Sequence, residues 1–427
     1  MISPFRKLLM VLLCLSAGSA GVFFNPHPSC AQQQKVLVGT SMAPYALAYS
    51  PARHIFYHDG WYAFYHDGSN IICAYSGDGT LFSQHEIVSH IPVAVGFSAY
   101  EIKGVVYVFY TDTNYMKIFL RKGKAEHGKL SLGDPVLVID TGVSFGATSP
   151  TLSVDAHGLL WVVYRSNEGH DQFRVWITSS QESDGLSWGI PMSISSSFEK
   201  TDSGAGTSGA PAVLSKHIIV VFSGARRLYM ADMDEKALPS YRALKKLGTK
   251  IDRRTGSKDF STQKIVDKFS EIFVRHSVID DAFAGIHDFS LTTQGNSLHL
   301  AYIARDKNEG TVMSYKEWKP LVGWGRKTRI ALSPVHTTAL GKNTHGLYAF
   351  YASTKTGGES KIYCRSIDSR GASLGAEHQV GQASPNNNPT YLWVAASDSE
   401  ARGVGVMWVE GVQAPYQVFF ATTGDDE

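Results

Sequence analysis

A short apolar run that ends in an aromatic residue and is followed by polar residues recurs along the whole chain. The clearest copy is Leu160-Trp161-Val162-Val163-Tyr164, which is followed by Arg165-Ser166-Asn167. Runs of β-branched and aromatic residues of this length, bounded by turn residues, are typical of buried strands. Six further copies lie at 61–65, 106–110, 218–222, 298–302, 347–351 and 404–408. The spacing of roughly 45 to 60 residues, with one longer gap, is typical of propeller blades.

Each repeat divides into four short strands. In the third repeat the strands are predicted at 150–154, 160–164, 173–177 and 191–194, and the connections between them are rich in Gly, Asn, Asp and Ser, as turns require. A four-stranded antiparallel sheet cannot bury both of its faces alone, whereas radial stacking of several such sheets does so. The sequence therefore predicts an all-β protein, a β-propeller of about seven four-stranded blades.

The last repeat is one strand short. It offers strands at 390–394, 404–408 and 417–420, and an apolar segment at 35–38 stands alone before the first repeat. Pairing this segment with the last blade would leave no free sheet edge. We therefore expect the N-terminal strand to close the ring.

A basic insert at about 235–275 interrupts the blade period. It carries several Lys and Arg residues, and Ile265, Phe269 and Phe273 follow at helical spacing, so the insert is predicted to be partly helical. One interpretation is a solvated excursion at a blade edge. The other is a lid or an arm that binds a protein partner, since long loops on rigid scaffolds are often functional.

The N-terminus has the pattern of an export signal. Arg6-Lys7 precede an apolar segment at 8–15, and Ser29-Cys30-Ala31 offers a cleavage site. We predict a signal peptide at 1–31, a propeller domain at 32–427, and a secreted or periplasmic protein. Outside the signal no stretch approaches the ~20 apolar residues of a membrane span, and the formal net charge of +2 gives no reason to expect nucleic acid as a partner.

Two polar turns carry a family resemblance. Ser183-Asp184-Gly185-Leu186-Ser187-Trp188 and Ser76-Gly77-Asp78-Gly79 are similar to the Asp-box (BNR) turns of the sialidase-like β-propeller superfamily, in shortened form. The segment 55–62 also resembles blades of arabinanase-type hydrolases. The resemblance implies a propeller fold and a sialidase-like or other glycoside hydrolase activity. Arg53-His54-Ile55 is the nearest match to the Phe/Tyr-Arg-Ile-Pro motif of sialidases, without its proline.

Three arginines follow the second strand in consecutive repeats: Arg165, Arg226 and Arg305. In a propeller, the loops after second strands and before first strands open on one face, which is the usual ligand site. Three guanidinium groups around such a funnel would bind a carboxylate or sulfate through bidentate hydrogen bonds. The alternative is that each arginine pairs with a nearby acid on an exposed loop.

His287-Asp288 and His336 lie where the first strands of adjacent repeats begin, and they are the candidate catalytic groups. Histidine titrates near neutrality and suits a general acid or base, with Asp288 orienting it or acting as the acid. The alternative is that these side chains bond to backbone at the channel mouth.

His66, Glu168 and Glu410 lie on loops of the same face and complete the candidate substrate-binding set. No spacing rule singles out a metal site among the histidines, so no metal and no cofactor are predicted.

Together these features predict a secreted propeller that recognises or cleaves an acidic carbohydrate at the central funnel. Two alternatives remain open: a non-catalytic binding or interaction module, and a polysaccharide lyase. A lyase would use a His or Tyr base with an Arg that neutralises the uronate. Such a site would resemble that of the propeller-shaped ulvan lyases, which are thought to work in this way.

Overall fold

The structure is a computed structural model and describes most of the chain after residue 33. The described residues are 34–47, 51–91, 96–142, 146–167, 173–189, 191–194, 208–224, 227–233, 275–280, 282, 289–332, 334–354, 360–368, 373–382, 394–398 and 403–423. The predicted signal peptide at 1–31 and the helical pattern of the insert lie outside these residues.

Among the described residues, thirty strands form seven antiparallel sheets, which confirms the predicted seven-bladed all-β propeller. Strand β1 (Val36–Ser41) comes first and belongs to the last blade. Blade 1 comprises β2 (Ile55–Tyr57), β3 (Trp61–His66), β4 (Asn70–Ser76) and β5 (Gln84–His90). Blade 2 comprises β6 (Phe97–Ile102), β7 (Val105–Thr111), β8 (Lys117–Glu126) and β10 (Val136–Asp140), with β9 (Lys129–Leu132) as a fifth strand.

The remaining blades follow the same order from the axis outward. Blade 3 comprises β11 (Gly146–Val154), β12 (Leu160–Asn167), β13 (Phe173–Ser179) and β14 (Met192–Ser193). Blade 4 comprises β15 (Gly209–Leu214), β16 (His217–Gly224), β17 (Arg227–Met233) and β18 (Arg275–Asp280). Blade 5 comprises β19 (Phe289–Gln294), β20 (Ser297–Asp306), β21 (Gly310–Lys319), β22 (Gly323–Trp324) and β23 (Thr328–Ala331). Blade 6 comprises β24 (Val335–Lys342), β25 (Leu347–Thr354), β26 (Ser360–Ile367) and β27 (His378–Gln382). Blade 7 comprises β28 (Val394–Ala396), β29 (Gly405–Glu410), β30 (Tyr416–Thr422) and β1.

The hydrophobic core lies between neighbouring blades. One cluster joins Phe64 of blade 1 to Val108 of blade 2, and similar clusters fill the other interfaces. Because each sheet packs on both faces, its second strand carries a continuous apolar run, and all six residues of β3 are buried. The aromatic residues that end these strands, such as Tyr110 and Trp408, lie buried in these clusters. The apolar runs of the sequence are therefore the second strands of the blades.

The N-terminal strand closes the ring, as the sequence predicts. β1 pairs antiparallel with β30, with Val36 opposite Phe420 and Ser41 opposite Tyr416. At Gly39 a Cβ atom would lie 2.2 Å from the Tyr65 hydroxyl of blade 1, so this position of β1 has no room for a side chain. The fourth strand of blade 7 thus comes from the other end of the chain.

A buried ion pair fixes this closure. Lys35 Nζ lies 2.8 Å from both carboxylate oxygens of Glu410 and sits 3.7 Å from the centre of the Phe419 ring. Glu410 is 4% exposed, and Trp408 Nε1 donates to it at 2.7 Å. Since a buried carboxylate is costly unless paired, Lys35 is what makes this position of Glu410 tolerable.

Two polar turns each hold an aspartate that bonds to the backbone of its own turn. Asp78 Oδ1 accepts from the backbone N–H of Thr80, and Asp184 Oδ1 accepts from that of Leu186, both at 2.9 Å. Each carboxylate thereby caps its own turn. Of the residues that the structure describes, none belongs to a helix with the length and apolarity needed to cross a membrane.

Deleting residues 34–41 tests the closure. The deletion removes the ladder hydrogen bonds of β30, the packing of Val38 and the partner of Glu410 at once, so we expect the free energy of unfolding to fall by several kcal/mol. The measurement is urea unfolding followed by tryptophan fluorescence. Deletion of 424–427, which follow β30, is the control and should leave the transition in place. Equal midpoints for the two deletions would contradict the role of β1.

Candidate functional site

The innermost strands of the seven blades line a central channel with their free edges. A strand edge presents unpaired backbone N–H and C=O groups, which need partners. Arg53, which precedes β2 in blade 1, supplies several of them. Its Nη1 donates to the carbonyl oxygens of Leu340 and Ala396 at 2.6 and 2.9 Å, and its Nη2 donates to that of Leu291 at 2.9 Å. One buried side chain thus joins blade 1 to blades 5, 6 and 7.

Tyr100 of β6, which lies close to Arg53, makes a further contact between innermost strands. Its hydroxyl oxygen accepts from the backbone N–H of Leu152 in blade 3 at 3.1 Å. Burial raises the pKa of Tyr100, although this N–H and the nearby charge of Arg53 offset part of the effect. Arg53 and Tyr100 are therefore committed to the fold and together bond blades 1, 2, 3, 5, 6 and 7.

Hydroxyl side chains complete the links between innermost strands. Ser98 Oγ donates to the carbonyl of Pro150 at 2.7 Å, and Thr151 Oγ1 donates to that of Gly209 at 2.8 Å. Ser290 Oγ accepts from the N–H of Leu340 at 2.9 Å. These three hydroxyl residues occupy the same register, since each lies opposite the residue that precedes the terminal aromatic of its second strand.

A cavity of about 710 Å³ lies on the channel axis next to these contacts, towards the C-terminal ends of the innermost strands. Its walls are mostly the C-terminal halves of the innermost strands and the turns that follow them in blades 1 and 2. The cavity therefore faces the end of the channel opposite to the loops on which the sequence analysis placed the substrate. Its polar and charged lining includes Arg53, Tyr57, His58, Tyr100, Glu101, Lys103, Ser153, Thr292, Thr293, Lys342 and Asp398.

Asp398 is the carboxylate of the inner wall. Its Oδ2 accepts from Arg53 Nη2 at 3.1 Å and from Thr292 Oγ1 at 2.7 Å. Its Oδ1 is buried and has no hydrogen-bond partner among the residues that the structure describes. One oxygen of Asp398 is thus bonded within the fold, and the other is covered by the protein.

Two lysines supply positive charge to the cavity. Lys103 lies in the exposed turn between β6 and β7, where its φ of 54° places it in the left-handed region. Lys342, at the end of β24, is half-buried and donates one hydrogen bond to the carbonyl of Thr293. Glu101 accepts from the N–H of Gly104 through Oε1. Each lysine ammonium keeps donors that the contacts described here do not use.

The predicted ligand face lies at the other end of the channel, and three of the candidates found there are described. Arg165 is half-buried, donates to Thr148 Oγ1 at 3.2 Å and lies 4.8 Å from the centre of the Phe173 ring. Arg305 is exposed at the end of β20. His336 is half-buried, its Nε2 lies 2.8 Å from Thr354 Oγ1, and burial lowers its pKa. Their roles in binding and catalysis stay predictions.

His66 and Glu410 hold positions inside the fold. The Nε2 of His66 contacts the carbonyl oxygen of Ile91 at 2.6 Å, and its Nδ1 accepts from the N–H of Gly68 at 3.0 Å. Glu410 is bound by Lys35 and Trp408, as described above. Both residues therefore have structural partners that a substrate contact would have to displace.

The other four candidates, Arg226, Glu168, His287 and Asp288, lie outside the described residues. Within the described part of the chain, no three His, Cys, Asp or Glu side chains come together as a metal site would require.

The groups at the axis were not predicted from the sequence. Arg53 was noted only as part of an incomplete sialidase motif, and Lys342 and Asp398 were not singled out. The available signal was positional, because Lys342 ends the first strand of one repeat and Asp398 follows the first strand of the next. Reading the C-terminal ends of the first strands as well as their beginnings would have found them.

No protein-family model and no curated protein sequence matches the chain. Solved structures do resemble it. One is a polysaccharide lyase, the PL25 ulvan lyase bound to -[GlcA(1-4)Rha3S]-, with a TM-score of 0.54 and 13% identity over 92% of this chain and 96% of the other. A second structure of a PL25 ulvan lyase gives a TM-score of 0.50 and 12% identity over 93% and 96%. At this identity the likeness concerns the propeller fold.

Replacing Arg53 by Met tests its role at the axis. The substitution keeps an apolar stem but leaves three strand carbonyls without their donor and Asp398 without its cationic partner, so we expect a loss of about 3 to 5 kcal/mol in the free energy of unfolding. Chemical denaturation measures it. Arg329→Met is the matched control, because Arg329 is a surface arginine with two ion-pair partners and should change stability by less than about 1 kcal/mol. Equal effects at the two positions would rule out the axial role of Arg53.

The pH dependence of stability tests the environment of His66. Burial lowers the pKa of His66 in the folded state, so below its unfolded pKa of about 6.5 the unfolded chain binds the proton more strongly. Stability should therefore fall as the pH drops from about 7 to about 5. His66→Asn should reduce this slope, which urea unfolding at pH 5 and at pH 7 measures. An unchanged slope for His66→Asn would show that this ring titrates alike in both states.

Proposed function

We propose that this protein is an exported propeller that binds, and in the stronger form of the proposal cleaves, an acidic carbohydrate in the cavity at the channel axis. The observation that carries the proposal is that Lys103 and Lys342 both line a polar cavity of about 710 Å³ on a rigid scaffold. Pockets of about 300 to 1,000 Å³ with a few converging polar groups are the usual form of small-ligand sites.

The chemistry of the lining suits a charged sugar. The two ammonium groups provide positive charge for a carboxylate or sulfate, and hydrogen bonds to charged groups are the stronger ones. Ser153 and the carboxylate of Asp398 offer partners for sugar hydroxyls, and Tyr57 presents an aromatic ring in the same lining. Aromatic rings provide a large apolar contact surface with a polar tip.

The ulvan lyase shares the propeller fold with this protein, and this shared fold is its only support for an acidic-glycan ligand here. That lyase was solved with a saccharide that contains a uronate and a sulfate, so the same saccharide is a reasonable first probe here. The sialidase-like resemblance of the Asp-box turns points to the same broad class.

Three activities fit an acidic-glycan site: hydrolysis, β-elimination and binding without turnover. A hydrolase needs an acid and a base that converge on one bond, and a lyase needs a base beside a neutralised carboxylate. His58, Tyr57 and Glu101 are the candidate acids and bases that line the cavity. Assays for new reducing ends and for unsaturated uronate distinguish the three cases.

Export and a protein partner complete the proposal. The predicted signal at 1–31 motivates a secreted or periplasmic location, and the basic insert at about 235–275 motivates a partner. Detection of the mature N-terminus in culture supernatant or periplasm by mass spectrometry tests the first, and loss of partner capture on deletion of 235–270 tests the second.

Charge removal at the cavity tests the site. Lys103→Ala and Lys342→Ala should each weaken binding of a GlcA(1-4)Rha3S oligosaccharide about tenfold or more by calorimetry, the scale of one charged hydrogen bond. Lys124→Ala is the control, because Lys124 is exposed on the outer hairpin of blade 2. Arg165→Ala and Arg305→Ala probe the opposite face. Loss of binding there, with the cavity variants unaffected, would move the site to the originally predicted face.

A further inference from the structure

The inner end of the axial cavity is occupied by protein groups that are already bonded. The two terminal nitrogens of Arg53 donate to three strand carbonyls and to Asp398, and the Tyr100 hydroxyl accepts from the N–H of Leu152. A chain passing through the channel at this level would have to displace contacts to several blades. These two residues therefore form an inner wall of the cavity.

We infer that the cavity holds the end of an acidic saccharide chain, with the terminal sugar against the inner wall that Arg53 and Tyr100 form. This inference rests on the proposed function and narrows it from an acidic glycan to a chain terminus. The terminal sugar reaches the inner wall, and the rest of the chain leaves past Lys103 towards solvent. Any cleavage at this site acts at chain ends.

The unmodified protein tests the inference directly. The probes are oligogalacturonides of one to six residues and GlcA(1-4)Rha3S oligosaccharides, each also prepared with the reducing end blocked as a methyl glycoside or with the non-reducing end O-methylated. Calorimetry gives the affinity of each. We expect the affinity to stop rising by the trisaccharide, and blocking one of the two ends to weaken binding at least tenfold.

The outcomes separate the inference from the proposed function. If affinity rises steadily with length and neither block matters, the site binds the middle of a chain, and the inference fails while the proposed function stands. If no probe binds, the proposed function fails and the inference fails with it.

Discussion

The guanidinium of Arg53 supplies hydrogen-bond donors to backbone carbonyls at the centre of the propeller. The innermost strands expose one edge to the channel, and unpaired backbone groups there are costly when water is excluded. Arg53 is 9% exposed and serves the edges of three other blades at once. This side chain and the neighbouring Tyr100 form the inner wall of the cavity.

Away from the axis, apolar packing and specific hydrogen bonds hold neighbouring blades together. Apolar clusters fill the spaces between blades, and polar tips at the ends of the second strands find specific acceptors. Tyr302 donates to Asp280 of the preceding blade at 2.6 Å, and Trp408 donates to Glu410, which Lys35 of the N-terminal segment neutralises. The closing strand is therefore locked by charge as well as by its ladder.

The sequence predicted the blades and their closure because those depend on local pattern. An apolar run such as 160–164 indicates a strand buried on both faces. The single strand before the first repeat indicates the fourth strand that the last repeat lacks. The axial site escaped prediction because its members meet only in three dimensions. Arg53 and Asp398 are 345 residues apart, and no periodicity relates a guanidinium to the blades that it crosses. His66 and Glu410 were singled out by loop position, whereas their partners Ile91 and Lys35 lie on other strands or segments.

A crystal structure of the protein with a GlcA(1-4)Rha3S disaccharide tests the central claim most directly. We expect the saccharide in the axial cavity, with its charged group near Lys103 or Lys342, its terminal sugar against the wall of Arg53 and Tyr100, and Arg53 still bonded to the strands of blades 5, 6 and 7. A saccharide bound on the opposite face between Arg165 and Arg305, or one that passes through the channel with Arg53 displaced, would contradict the claim.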